Sequence, residues 1–92
     1  MNEYVVHCQA LEQYGNKDEQ DWYKLKYGAS YLVEAHSSNN AIAYVLLHLS
    51  KINNDWWMEY PTSVTDIQDW NDYLLTLDDD YAEFQRNSLV KL

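Results

Sequence analysis

Between Trp22 and Ile52 the spacing of the apolar side chains changes from two to three and four, and that change decides the fold class. In Trp22-Tyr23-Lys24-Leu25-Lys26-Tyr27, residues Tyr23, Leu25 and Tyr27 face one way and Trp22, Lys24 and Lys26 the other. That is the two-residue period of a strand. Gly28-Ala29-Ser30 reads as a short turn, after which Tyr31 to His36 resume the alternation. From Ala41 the period becomes helical: Ala41, Ile42, Val45, Leu46, Leu49 and Ile52 form one amphipathic face. Ser37-Ser38 supply the hydroxyl side chains that start such a helix, and Asn53-Asn54 suit its end. A helix of this kind must bury its stripe, and the strands before it offer the surface.

The flanking segments extend the pattern. Glu3 to Leu11 is rich in β-branched and aromatic residues and reads as a first strand. Glu12 to Asp21 is polar, carries Gly15-Asn16 and reads as a loop or wide turn. Asp55 to Tyr60 reads as a fourth strand ended by Pro61, with Trp56, Met58 and Tyr60 on one face and Trp57 and Glu59 on the other. Thr62-Ser63 open a second helix through about Leu75, with Val64, Ile67, Trp70 and Leu74 as its apolar stripe. Tyr81 to Leu92 fits a short helix or a last strand. The expectation is therefore an α+β fold in the order β-β-β-α-β-α: an antiparallel sheet of three to four strands, one helix packed on it, and an acidic C-terminal helical region.

Ninety-two residues make one domain, 1–92. Four Trp, nine Tyr and one Phe supply a core large enough for so short a chain and argue against disorder despite the charge. A lone Cys8 in a strand-like run reads as a small buried hydrophobe. Met1-Asn2-Glu3 has no basic stretch leading into an apolar one, and Ala41 to Leu49 is too short to span a bilayer. The expected location is a reducing cytoplasm, with no membrane association.

Catalytic constellations do not assemble. A Cys–His pair would need Cys8 beside His36 or His48, and His7 points away from Cys8 on a strand. Three separated His and one Cys match no zinc spacing, and Asp78-Asp79-Asp80 lacks the alternating ligands and central Gly of an EF-hand loop. With glycine only at 15 and 28 there is no phosphate-cradling loop. Neither an enzyme, a metal nor a cofactor is expected. Direct binding to nucleic acid is disfavoured by a net charge of −9.

That charge is unevenly placed. Residues 1–54 hold six acids and four bases, residues 55–84 nine acids and no Lys or Arg, and the tail two bases. Asp66, Asp69 and Asp72 fall on one side of the expected helix, about 4.5 Å apart along its axis. Asp78, Asp79 and Asp80 can join them, and Trp56, Trp57 and Tyr73 are the aromatic candidates among the acids. A solvated face needs only a few charges of mixed sign. Carboxylates rimming aromatic anchors suit a basic partner surface, because Tyr and Trp dominate binding hot spots and charges steer association.

In size, charge, aromatic content and its acidic segment 55–84, the chain resembles the small acidic phage anti-defence proteins, the anti-CRISPR and DNA-mimic inhibitors. The resemblance is one of class and rests on no family-specific motif. It implies a non-catalytic inhibitor, acting in the bacterial host cytoplasm, that presents carboxylates to a basic nucleic-acid-binding groove, with CRISPR–Cas as the specific target. Duplex DNA carries one charge per about 1.7 Å, so nine acids would imitate a short piece. The alternative is an adaptor or small subunit that binds a protein partner through aromatic and apolar surface, as a monomer or a homodimer.

Overall fold

The structure, a computed structural model, describes residues 1–14 and 22–92. Two long strands, β1 (Asn2–Tyr14) and β2 (Trp22–Ala35), precede helix α1 (Ser38–Ile52) and strand β3 (Trp57–Asp66). Helices α2 (Ile67–Leu74) and α3 (Asp79–Asn87) and a short strand β4 (Leu89–Lys91) complete the chain. The fold is α+β, with a four-stranded sheet in the order β3-β1-β2-β4. β1 pairs antiparallel with both β2 and β3, whereas β4 runs parallel to β2 along Ser30–Leu32, so the sheet is mixed rather than antiparallel. The observed order is ββαβααβ: the expected three-strand meander is two strands, and the C-terminal region holds both a helix and a strand. The loop expected at Glu12–Asp21 lies outside the described residues from 15 to 21, and Glu12 to Tyr14 continue β1.

No turn forms at Gly28-Ala29-Ser30; β2 runs straight through them. The β1–β2 register slips between His7 and Gln9, so that Cys8 alone lies opposite Gly28 and Ala29. This is a bulge on β2, and glycine sits in it because a Cβ would lie 2.8 Å from both the carbonyl carbon and oxygen of Cys8. β3 has its own extra residue at the same level: His7 pairs with Ser63 and Cys8 with Pro61, leaving Thr62 unpaired, its Oγ1 donating to the His7 carbonyl at 3.2 Å. Pro61 therefore does not end the strand. It is tolerated because β3 is an edge strand and the proline adjoins a bulge.

A one-residue insertion moves side chains to the other face. Tyr31, Val33 and Ala35 pack beneath α1 with Tyr4, Val6 and Cys8 of β1 and Ala41, Val45 and Leu49 of the helix. Tyr23, Leu25 and Tyr27, also odd-numbered but before the bulge, pair with Gln13, Leu11 and Gln9 and belong to the opposite face, that of Val5. There Val5 meets Trp70 and Leu74 of α2 and Ala82 of α3. One end of the sheet is thus covered on both faces. Its other end, residues 9–13, 23–27 and 57–60, extends past α2 and α3, consistent with extents of 48 × 31 × 16 Å.

Helix α1 starts where expected, with Ser37 Oγ accepting from the Asn40 amide at 3.2 Å, but its buried stripe is only Ala41, Val45 and Leu49. Leu46 and Ile52 are exposed. α2 begins at Ile67, not at Thr62-Ser63, because Val64 and Thr65 are paired into β3 and Val64 packs on the α1 side. Asp66 is the residue that caps it, accepting from the Gln68 amide at 2.8 Å. No helix among the described residues is long and apolar enough to cross a membrane.

Candidate protein-binding surfaces

Seven of the nine acids of segment 55–84 stand on or beside α2 and α3, in three groups. Asp66 is tied to the start of α2 by its capping bond. Asp69 and Asp72 are exposed, on the side of α2 turned away from buried Trp70 and Leu74; Gln68 Nε2 donates to Asp72 Oδ1 at 3.3 Å. Asp78 caps α3 with its backbone carbonyl, while Asp79 and Asp80 occupy the first turn, where the helix dipole favours negative charge. Glu83 follows on the same helix and is exposed. Among the described residues the only ion pair is Lys26 with Glu12 at 3.7 Å, so none of these carboxylates on α2 and α3 pairs with a described lysine or arginine.

Glu59 is separate from that surface. It lies on the α1 side of the sheet, half-buried, where Oε1 accepts from Trp57 Nε1 at 2.9 Å and Oε2 accepts from the Tyr31 hydroxyl and the Ala29 amide, each at 3.4 Å. Burial, then the charge of Glu59, pushes the Tyr31 hydroxyl up to about 12 and the Cys8 thiol up to about 11. A thiol held protonated at neutral pH is a core group and a poor nucleophile. His7, on the other face, shares a 2.9 Å hydrogen bond with Ser30 Oγ and is pushed below its ordinary range by burial. No group of three or more metal-ligating side chains gathers among the described residues.

The aromatic candidates separate as well. Trp57 is half-buried over the α1 side and engaged with Glu59, whereas Trp56 is 60% exposed. Tyr73 is exposed on α2 beside the acids. Tyr81 and Phe84 stack on α3 with ring centroids 6.4 Å apart and both face solvent.

A larger apolar surface lies on the uncovered end of the sheet. Tyr23, Leu25 and Tyr27 of β2 and Met58 and Tyr60 of β3 flank Gln9, Leu11 and Gln13 of β1, all on the face of Val5. Tyr27 is 97% exposed, and Leu25, Tyr23 and Met58 are about half exposed. Trp56, whose carbonyl accepts from the Gln13 amide at 2.9 Å, adjoins them. Gln13, Tyr23, Asn54, Asp55 and Met58 enclose a shallow depression of about 370 Å³ at one corner. The alternation around Lys24 and Lys26 marks two faces but not which is covered. Here the lysines share the α1 side with buried Ala10, and the aromatics face water. The acidic helices and this aromatic platform thus occupy one side of the sheet.

The chain matches no protein-family model, no curated protein and no solved structure.

Proposed function

We propose that the chain is a non-catalytic inhibitor that sets the acidic α2–α3 surface into the basic nucleic-acid groove of a bacterial defence complex, a CRISPR–Cas complex being the specific target. The observation that carries this reading is the set of exposed carboxylates at Asp69, Asp72, Asp79, Asp80 and Glu83, unpaired with any base among the described residues. Charge that is predominantly negative, with Arg86 in the last turn of α3 as the one base on these two helices, raises association rates with an oppositely charged groove and repels nucleic acid itself. Tyr73, Tyr81 and Phe84 offer apolar contact between the acids.

The test is capture of partners from a bacterial lysate, eluted in rising salt, with duplex DNA as competitor. Elution of nucleic-acid-handling complexes by salt and by DNA supports the reading, as does their loss when Asp69, Asp72, Asp79 and Asp80 are together replaced by Asn. Partners that resist both salt and DNA, or that are retained by the fourfold variant, overturn it.

A second reading, an adaptor that binds a protein through apolar surface, is favoured by the exposed platform of Tyr23, Leu25, Tyr27, Met58 and Tyr60. It requires binding that survives high salt and fails when the platform is changed.

A further inference from the structure

Among the described residues, the platform on the uncovered end of the sheet carries no charged side chain on its three strands, and one charge adjoins it, Asp55 at the corner depression. The charged residues of the same segments, Glu12, Lys24, Lys26 and Glu59, all lie on the α1 side. In a chain with 15 acids and 6 bases, such a neutral face is unexpected for a surface meant only for water. Fully exposed, large side chains of this kind present roughly 150–250 Å² each, so Tyr23, Leu25, Tyr27, Trp56, Met58 and Tyr60 at their observed exposures offer on the order of 700 Å². That is at or above the upper end of the range for the largest apolar patch of a typical monomer, about 300–600 Å². It approaches the roughly 800 Å² per partner of a stable interface.

Neutrality selects the occupant. In a two-fold symmetric interface each patch meets itself, so it must be free of net charge. A basic partner would instead be met by acids at the contact, and here the acids stand on α2 and α3, over the other end of the sheet. The sheet edges do not offer a copy an easier route. On β3, the Asn53 side chain donates to the Glu59 carbonyl and accepts from the Glu59 amide, both at 2.9 Å, and Pro61 and the Thr62 bulge interrupt the remainder. On β2, β4 covers only Ser30–Leu32. Two-fold antiparallel pairing of the open stretch Tyr23–Gly28 with itself joins residues of like parity, and registers centred on Lys24, Leu25 or Lys26 each set a lysine opposite a lysine of the second copy, where like charges are destabilising.

We infer that this face docks a second copy of the chain, sheet on sheet, as a two-fold homodimer. The inference does not depend on the inhibitor reading. Facing sheets lie about 10 Å apart. The acidic helices of the two copies repel across that assembly, and salt screens the repulsion, with a Debye length of about 30 Å at 0.01 M and about 8 Å at 0.15 M. Dimerisation therefore strengthens as salt rises, opposite in sign to binding in a basic groove.

Sedimentation equilibrium of the full chain tests this. The expected result is a species of twice 11.0 kDa at micromolar concentrations in roughly 0.3 M salt, dissociating at least about tenfold more readily near 0.01 M. Leu25→Glu, which places a charge at the two-fold contact, and Tyr27→Thr, which removes apolar area without charge, each weaken the dimer by about thirtyfold or more. Circular dichroism and melting at low concentration, where the chain is monomeric, show the fold of both variants unchanged. A mass of 11.0 kDa throughout in roughly 0.3 M salt, even near millimolar concentration, overturns the inference. So does a dimer that neither folded variant weakens, or one that salt dissociates.

Discussion

Gly28 lies against the backbone of Cys8 so closely that a Cβ on it would stand 2.8 Å from the Cys8 carbonyl carbon and oxygen. The obstacle is main chain in the central strand, not the end of a flexible side chain, so it cannot swing aside. Gly28→Ala should cost about 1–3 kcal/mol, as overpacking does. Urea denaturation should show a lower midpoint with an unchanged slope. An unaltered midpoint would mean that β1 and β2 are farther apart at the bulge.

Asn53 closes the outer edge of β3 as a surrogate strand, through its two 2.9 Å bonds to the amide and carbonyl of Glu59. Asn53→Ala leaves both half-buried groups without these partners and should cost about 1–3 kcal/mol. Asn53→Asp can still accept from the amide but cannot donate to the carbonyl, and it adds a charge. It should therefore not restore the loss. Thermal melts of the three proteins at one pH check the order.

The alkaline limb of stability should report the core beneath α1. Cys8 rises from an ordinary 9.0 to about 11, and Tyr31 from 10.0 to about 12, each first through burial and then through Glu59. The folded state holds these protons more tightly than the unfolded one, so the contribution is full below pH 9 and lost as pH rises from about 9 to 12. Cys8→Ala should remove the part of the decline that begins near 9, leaving the later part. His7 acts with the opposite sign: its lowered value favours the neutral ring, so stability falls as pH drops below 6.5. Denaturant midpoints from pH 5 to 12 in wild type and Cys8→Ala decide both.

Much of this was legible in the sequence, and what was not has a common physical cause. Helix α1 announced itself by Ser37 and the spacing of Ala41, Val45 and Leu49, because those signals are local. The solvent-facing acids of α2 and α3 were legible for the same reason. The bulge at Gly28 was not: a glycine between two alternating runs, both with their apolar residues at odd positions, looks the same whether the chain turns or gains a residue, and only Cys8 across the sheet decides. Thr62-Ser63 misled because a helix start requires the chain to leave the sheet first, and Val64 is still paired with Val6. Tyr23, Leu25 and Tyr27 stand out in the sequence as one face, with no sign there of whether that face is covered. Its exposure is set by where α2 and α3 stop, which no local pattern contains.

Asp66 and its neighbours Asp69 and Asp72 look equivalent in sequence, yet the structure gives them different work. Asp66 accepts from the Gln68 amide at 2.8 Å and stands at the junction where β3 becomes α2. Replacing it with Ala removes the cap and should lower stability by about 1 kcal/mol. Asp69→Asn and Asp72→Asn remove exposed charge from the helix surface and should change stability by less than about 0.5 kcal/mol. Because like charges crowd this segment, raising salt should stabilise wild type more than the Asp69→Asn/Asp72→Asn double variant, while leaving the Asp66→Ala deficit in place. Urea titrations of wild type, Asp66→Ala, Asp69→Asn and the double variant at low and high salt separate the two roles. Equal losses for Asp66→Ala and Asp69→Asn would show that the carboxylate at 66 acts as charge alone and that the capping bond contributes nothing.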